Sequence, residues 1–162
     1  CHMSSMKIFV AEKLAQPGVS ALLEAGHILV QRYISGDALV QALMEEQPQV
    51  LIVRSMSVTK EVIDASCGLE LIVRAGAGFD TIDVAHASSK GIFVSNCPGK
   101  NSAAVAELSI GLILAIDRRI PDNVIDLRHD RWEKIKYSQA DGVAGKTLGI
   151  IGQGNIAREV IV

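Results

Sequence analysis

Aromatic side chains are scarce here: Phe, Trp and Tyr together make up 4% of 162 residues. A core without rings has to be filled by Ala, Val, Ile and Leu, which suits the helix–sheet interfaces of α/β layers. Cysteine is also sparse. Cys67 and Cys97 form no CxxC or CxxH spacing, so a disulfide framework or thiolate metal centre is not expected, and the pair fits a reducing, cytoplasmic setting. Neither sign of charge dominates. A net charge of -2 gives no electrostatic reason to expect a nucleic acid or an anionic membrane surface as partner. Apolar runs stay well short of the ~18 residues of a membrane span; the longest, Leu108 to Ile116, is broken by Ser109 and Gly111. No charged segment followed by an apolar one opens the chain, so a secretion signal is not expected. The opening CHMSS, residues 1–5, reads as vector-derived and is set aside.

What is present is a soluble-type composition, 49% hydrophobic and 21% charged. Strand-like and helix-like stretches alternate. KIFVA, HILVQRY, VLIVRS, LELIVRAG and IFVSN read as strands. QPGVSALLEAG, SGDALVQALMEEQ, TKEVIDASCG and TIDVAHASSKG read as the helices between them, punctuated by Pro17, Gly26, Pro48 and Gly68. The continuous β-branched run in VLIVRS is that of a strand buried on both faces. This alternation predicts an α/β, doubly wound parallel sheet over 6–97. CPGKN breaks the pattern, and a hinge is expected there. The second segment, 98–162, opens with NSAAVAELSIGLILAIDRRI, a long helix apolar nearly all round, which has to be covered. RHDRWEKIKYSQADGVAG is polar and expected to loop; KTLGIIGQGNIAREVIV is expected to be strand, glycine turn and helix.

That last stretch contains G-x-G-x-x-A at Gly152, Gly154 and Ala157. After a strand and before a helix, this spacing fits a dinucleotide. The first glycine permits the tight turn, the second lets the backbone approach a pyrophosphate, and the alanine allows close packing. Unpaired N–H groups at the helix start face the phosphates. The acidic residue expected about 20 positions later, which binds the ribose, falls beyond Val162, so NAD and NADP are not separated. A second candidate site lies in the first segment. Arg54 and Arg74 end two buried strands, and ligands in open α/β sheets lie outside the carboxyl ends. Such arginines can converge on an anion, aided by the backbone N–H groups of RAGAG. Asn101 and Ser102 either cap the long helix or contact a substrate. Glu107 needs a polar partner if buried. His27, His86 and His129 show no ligand or nucleophile spacing and read as structural. Trp132 is either an interface anchor or a local packing plug.

VRSMSVTKEVID, LIVRAGAGFDTIDVAHASSKGIFVSNCPGKNSAAVAEL and GKTLGIIGQGNIAREV together resemble the D-2-hydroxyacid dehydrogenases, closest to the phosphoglycerate branch. The resemblance implies a flavodoxin-like substrate-binding domain over 6–97 and, over 98–162, the first strand and helices of an incomplete Rossmann domain. It implies NAD as cofactor and hydride transfer at C2 of a small anionic 2-hydroxy or 2-oxo acid, with 3-phosphoglycerate oxidation in serine biosynthesis as the leading activity. Arg54, Ser55, Arg74, Ala75, Gly76, Ala77, Gly78, Asn101 and Ser102 would meet substrate. Gly152, Gln153, Gly154, Asn155, Ile156 and Ala157 would meet the cofactor. It further implies a homodimer or higher homo-oligomer through the helix near 101–120, with Lys134 or Lys136 reaching a neighbouring site. The family's catalytic Arg, Glu and His would lie beyond Val162, so the chain is expected to be a truncated or proteolytic piece and catalytically silent. Two alternatives remain: an NAD-sensing corepressor-like module, or a relative acting on glyoxylate, hydroxypyruvate or lactate.

Overall fold

The computed structural model describes residues 5–162; most of the opening stretch set aside as vector-derived lies outside them. Five short strands form one parallel sheet: β1 (Lys7–Val10), β2 (Ile28–Gln31), β3 (Val50–Val53), β4 (Leu71–Arg74) and β5 (Phe93–Ser95). Their spatial order is β2-β1-β3-β4-β5. All four residues of β3 are buried, as the continuous apolar run requires of a central strand. Between the strands lie α1 (Gln16–Glu24), α2 (Asp37–Glu46), α3 (Lys60–Asp64) and α4 (Val84–Ser89). Pro17 sits in the first turn of α1, where its missing N–H costs nothing. Gly26, at φ +83°, turns the chain after it. The side chain of Asp83 accepts from the N–H of His86 and caps α4.

The pleat sorts the core into two layers. Phe9, Leu51, Val53 and Ile72 face one way and pack with Leu39 and Leu43 of α2, Val62 and Ile63 of α3, and Ala87 of α4. Ile8, Val10, Val50 and Ile52 face the other way, against Leu14 and Leu22 at α1. The sheet is thus doubly wound. Successive connections depart in opposite directions from β1, so the topological switch point lies between β1 and β3, where ligands of open α/β sheets gather.

The chain divides into two compact units, one ending at Lys100 and the other spanning Asn101–Val162. The second unit holds α5 (Ser102–Asp117), α6 (Ile120–Arg128), α7 (Lys134–Ser138) and α8 (Asn155–Ile161). Helix α5 packs against α8. Leu108, Leu112 and Ile116 on α5 remain exposed, and so does Glu107, which therefore needs no buried partner. No helix of the described residues is long and apolar enough to cross a membrane. Two local expectations change. Thr147–Ile151, expected as a strand, joins no sheet among the described residues; an extended segment without a neighbouring strand has no ladder to define it. The polar stretch expected to loop contains α7. The buried Asp126 organises it, accepting from Arg131, from Lys136 Nζ at 2.9 Å and from Tyr137 Oη at 2.5 Å.

Candidate functional site

The carboxyl ends of β1, β3, β4 and β5 form a continuous rim, knitted by backbone bonds. The N–H of Ala11 donates to Ile52, that of Ala75 to Val53 and that of Cys97 to Gly76. Arg74 is the last residue of β4 and half-buried. Its guanidinium folds back over Gly76 so closely that a Cβ on that glycine would lie 1.8 Å from Nη1. The absence of a side chain at position 76 leaves room for the guanidinium in this position. The Nε of Arg74 is buried and has no hydrogen-bond partner among the described residues. A buried guanidinium N–H left unpaired is costly, and a bound anion would satisfy it. The neighbouring turn points the same way. Two of its carbonyls are engaged, that of Gly76 by the N–H of Cys97 and that of Ala77 by Asn96 Nδ2 at 2.6 Å. The amides of Ala77 and Gly78 have no partner among the described residues.

Arg54 follows β3 on the adjacent strand, at the same rim. Because Arg74 lies opposite Val53 in the ladder, the pleat aims Arg74 toward the α2–α4 face. Arg54, one residue further on, lines a cavity of about 320 Å³ with Lys13, Leu14, Ala15 and Ala75 on the α1 face. The two arginines are thus neighbours that approach the rim from opposite faces, and neither cavity at the rim is lined by both, so the expected convergence on a single anion is not the arrangement found. Nη1 of Arg54 donates to the carbonyl of Lys13 at 3.3 Å, and neither arginine forms an ion pair among the described residues.

Sequence reasoning passed over Glu12, which stands at the switch point. Its Oε2 accepts from the backbone N–H groups of Arg54, Ser55 and Met56 at 2.5, 2.7 and 3.1 Å, and its Oε1 accepts from Ser55 Oγ at 2.7 Å. Partial desolvation raises its pKa, but the bonds from Ser55 Oγ and from the amides of Met56, Arg54 and Ser55 outweigh this and hold the carboxyl at about 2. A groove of about 620 Å³ opens beside it, lined by Lys13, Tyr33, Ser35, Arg54 and Ser55 among others. The signal available in the sequence was an acid just past the end of β1, the strand that neighbours β3.

In the second unit, Asn101 occupies the N-cap of α5 but its side chain makes no capping bond, and Ser102 is buried. Gly152 adopts φ +91°, which disfavours any side chain. Gly154 is the N-cap of α8, so Asn155, Ile156 and Ala157 form its first turn, with amides lacking intrahelical partners. Gln153 lies between the two glycines, exposed. Lys136 is committed to Asp126, while Trp132 is exposed. His27 Nδ1 accepts from the N–H of Met6, His86 pairs with Asp64, and His129 Nδ1 contacts the carbonyl of Ile125. None of these three histidines lines the cavities at the rim.

Residues 8–160 match the model of the D-isomer specific 2-hydroxyacid dehydrogenase catalytic domain. A D-3-phosphoglycerate dehydrogenase of Methanocaldococcus jannaschii is 38% identical over 96% of this chain, and a hydroxypyruvate reductase of Thermotoga maritima is 39% identical over 98%. The chain spans 29% of the first relative and 51% of the second. A crystal structure of NAD+-bound 3-phosphoglycerate dehydrogenase from Entamoeba histolytica superposes with a TM-score of 0.76 at 31% identity, covering 98% of this chain and 50% of that one.

Proposed function

The chain belongs to the D-isomer specific 2-hydroxyacid dehydrogenase family, and from that premise we propose that it forms the substrate-anchoring part of an NAD-dependent oxidoreductase converting 3-phosphoglycerate to 3-phosphohydroxypyruvate. The observation that carries this reading is the half-buried Arg74 with its unpaired Nε beside the open amides of Ala77 and Gly78. A substrate with two anionic groups can span the rim, one end on Arg74 and the Ala75–Gly78 turn, the other on Arg54. Charge-assisted hydrogen bonds of this kind contribute roughly 1.5–3 kcal/mol each.

The backbone at Gly152–Ala157 has the features a pyrophosphate needs: glycine at a left-handed turn, then open amides at a helix start. NAD, when bound, supplies the hydride acceptor. Gln153 to Ile156 would hold its phosphates. Hydride removal from C2 also requires a base for the hydroxyl proton. His27, His86 and His129, the histidines among the described residues, are engaged away from the rim, and residues 5–162 are proposed to bind without turnover. The exposed Leu108, Leu112 and Ile116 of α5 support self-association of the chain.

A reductase acting on hydroxypyruvate is the second reading, favoured by the 39% identity to the Thermotoga protein. Steady-state rates of the full-length enzyme with 3-phosphoglycerate, D-glycerate and D-lactate, and in reverse with hydroxypyruvate and glyoxylate, separate the two. A preference for 3-phosphoglycerate that collapses in Arg74→Ala supports the proposal. Equal rates with D-glycerate, or a preference for hydroxypyruvate over its phosphorylated counterpart, overturn it. NAD binding without turnover of any of these acids points instead to a sensing module.

A further inference from the structure

Three successive amides after β3 converge on a single oxygen of Glu12, and the Ser55 hydroxyl donates to the other. Consecutive N–H groups gathered in this way make a concavity that takes a phosphate or carboxylate from solution. It sits at the switch point of the sheet, where an anionic ligand would normally be sought. Here the occupant is tethered to the chain, two residues past the end of β1.

We infer that Glu12 is a positioning residue: a built-in anion that fills the amide nest after β3, fixes the backbone from which Arg54 projects, and closes that nest to the substrate's own anionic groups. Its purpose rests on the reading of the rim as a substrate site, while its chemistry rests on geometry alone. The side chain of Arg54 is held from a second direction by the carbonyl of Lys13, the residue next to Glu12. The loop after β1 therefore grips Arg54 at both backbone and guanidinium. Ser55 changes role accordingly. Its hydroxyl proton is directed to Glu12, so toward a ligand it can only accept, and an anion gains nothing from it. A free anion is left with the remaining guanidinium donors of Arg54 and the unpaired donors of Arg74, Ala77 and Gly78. The charged and titratable groups around Glu12 are Lys13, Arg54 and Tyr33, which line the same groove.

The test uses amide NMR on this chain with sodium formate as probe. In Glu12→Ala the vacated nest is expected to bind formate, with saturable shifts at the amides of Arg54, Ser55 and Met56; the wild type is expected to show none there. In the full-length enzyme the same substitution is expected to raise KM for the acid substrate at least about tenfold, the loss of one charge-assisted contact, and formate is expected to restore part of it. A structural defect alone does not respond to formate. Absence of formate shifts in Glu12→Ala, or the same shifts in the wild type, overturns the inference. Should Glu12→Ala fail to fold, the wild type decides. The three amides are expected to titrate together with an apparent pKa of about 2; independent titrations, or a common one at the ordinary value of 4.5, overturn it. Loss of Arg74-dependent substrate preference with the formate response intact would condemn the substrate reading and leave the nest standing.

Discussion

Single residues at the rim differ in how visible they were in the sequence. Arg54 and Arg74 stood out because a charge ending an apolar β-branched run marks a strand's carboxyl end, and the structure places both there. Their relative aim was hidden, since it depends on a one-residue offset in the ladder that only the register supplies. Glu12 was hidden for a related reason: its partners are more than forty positions away and meet it only because β1 lies beside β3. Gly76 gives a sharp test. A methyl there would collide with Arg74 Nη1, the end of a flexible side chain. Gly76→Ala is therefore expected to swing the guanidinium aside and weaken anion binding roughly as much as losing one charged contact, 10-fold or more, with little change in melting temperature. Calorimetric titration and thermal melts on the same sample check both halves. The acid limb of stability belongs to this scale too. Glu12 is depressed from 4.5 to about 2, so its contribution is fully present above pH 4.5 and is lost as pH falls toward 2. Glu12→Gln is expected to flatten the stability profile across that window in acid denaturation curves.

Among the elements, those with complete local support were readable. The apolar run of β3, Pro17 opening α1 and Gly26 after it each carry their own physical reason. Thr147–Ile151 misled because a strand is defined by its neighbour, not by its own residues. Helix α7 was missed because its support is tertiary. Asp126 lies well back in α6, and hydrogen bonds from Tyr137, Lys136 and Arg131 hold its carboxylate far below the usual range. Since its folded pKa is depressed below 3.8, the latch is fully present above that value and yields only in strong acid. Asp126→Asn removes the charge from a buried site with three donors. It is expected to leave the sheet intact while Lys134–Ser138 loses protection; hydrogen exchange that stays slow in α7 would contradict this.

For the molecule as a whole, the α/β class and the doubly wound sheet were legible from alternation, whereas the order β2-β1-β3-β4-β5 followed only from the flavodoxin-like resemblance, which the sheet bears out. Strand order is a property of long-range pairing, and it is what creates the switch point and the Glu12 nest. Phe9 is the one aromatic among the buried hydrophobic residues of the described chain. Phe9 is fully buried among Val, Leu and Ile side chains, so Phe9→Ala is expected to cost about 3–5 kcal/mol in denaturant unfolding. Exposed apolar residues along α5 lead us to expect an assembly larger than a monomer in light scattering, reduced by Leu108→Lys with Leu112→Lys.

The central claim is that the ends of β3 and β4 grip an anionic acid through Arg74 and the turn that follows it. Amide NMR of this chain titrated with 3-phosphoglycerate tests it most directly. The account predicts saturable shifts at Arg74 through Gly78 that vanish in Arg74→Ala while the melting temperature holds. Shifts confined to other surfaces, or unchanged in that variant, would contradict it.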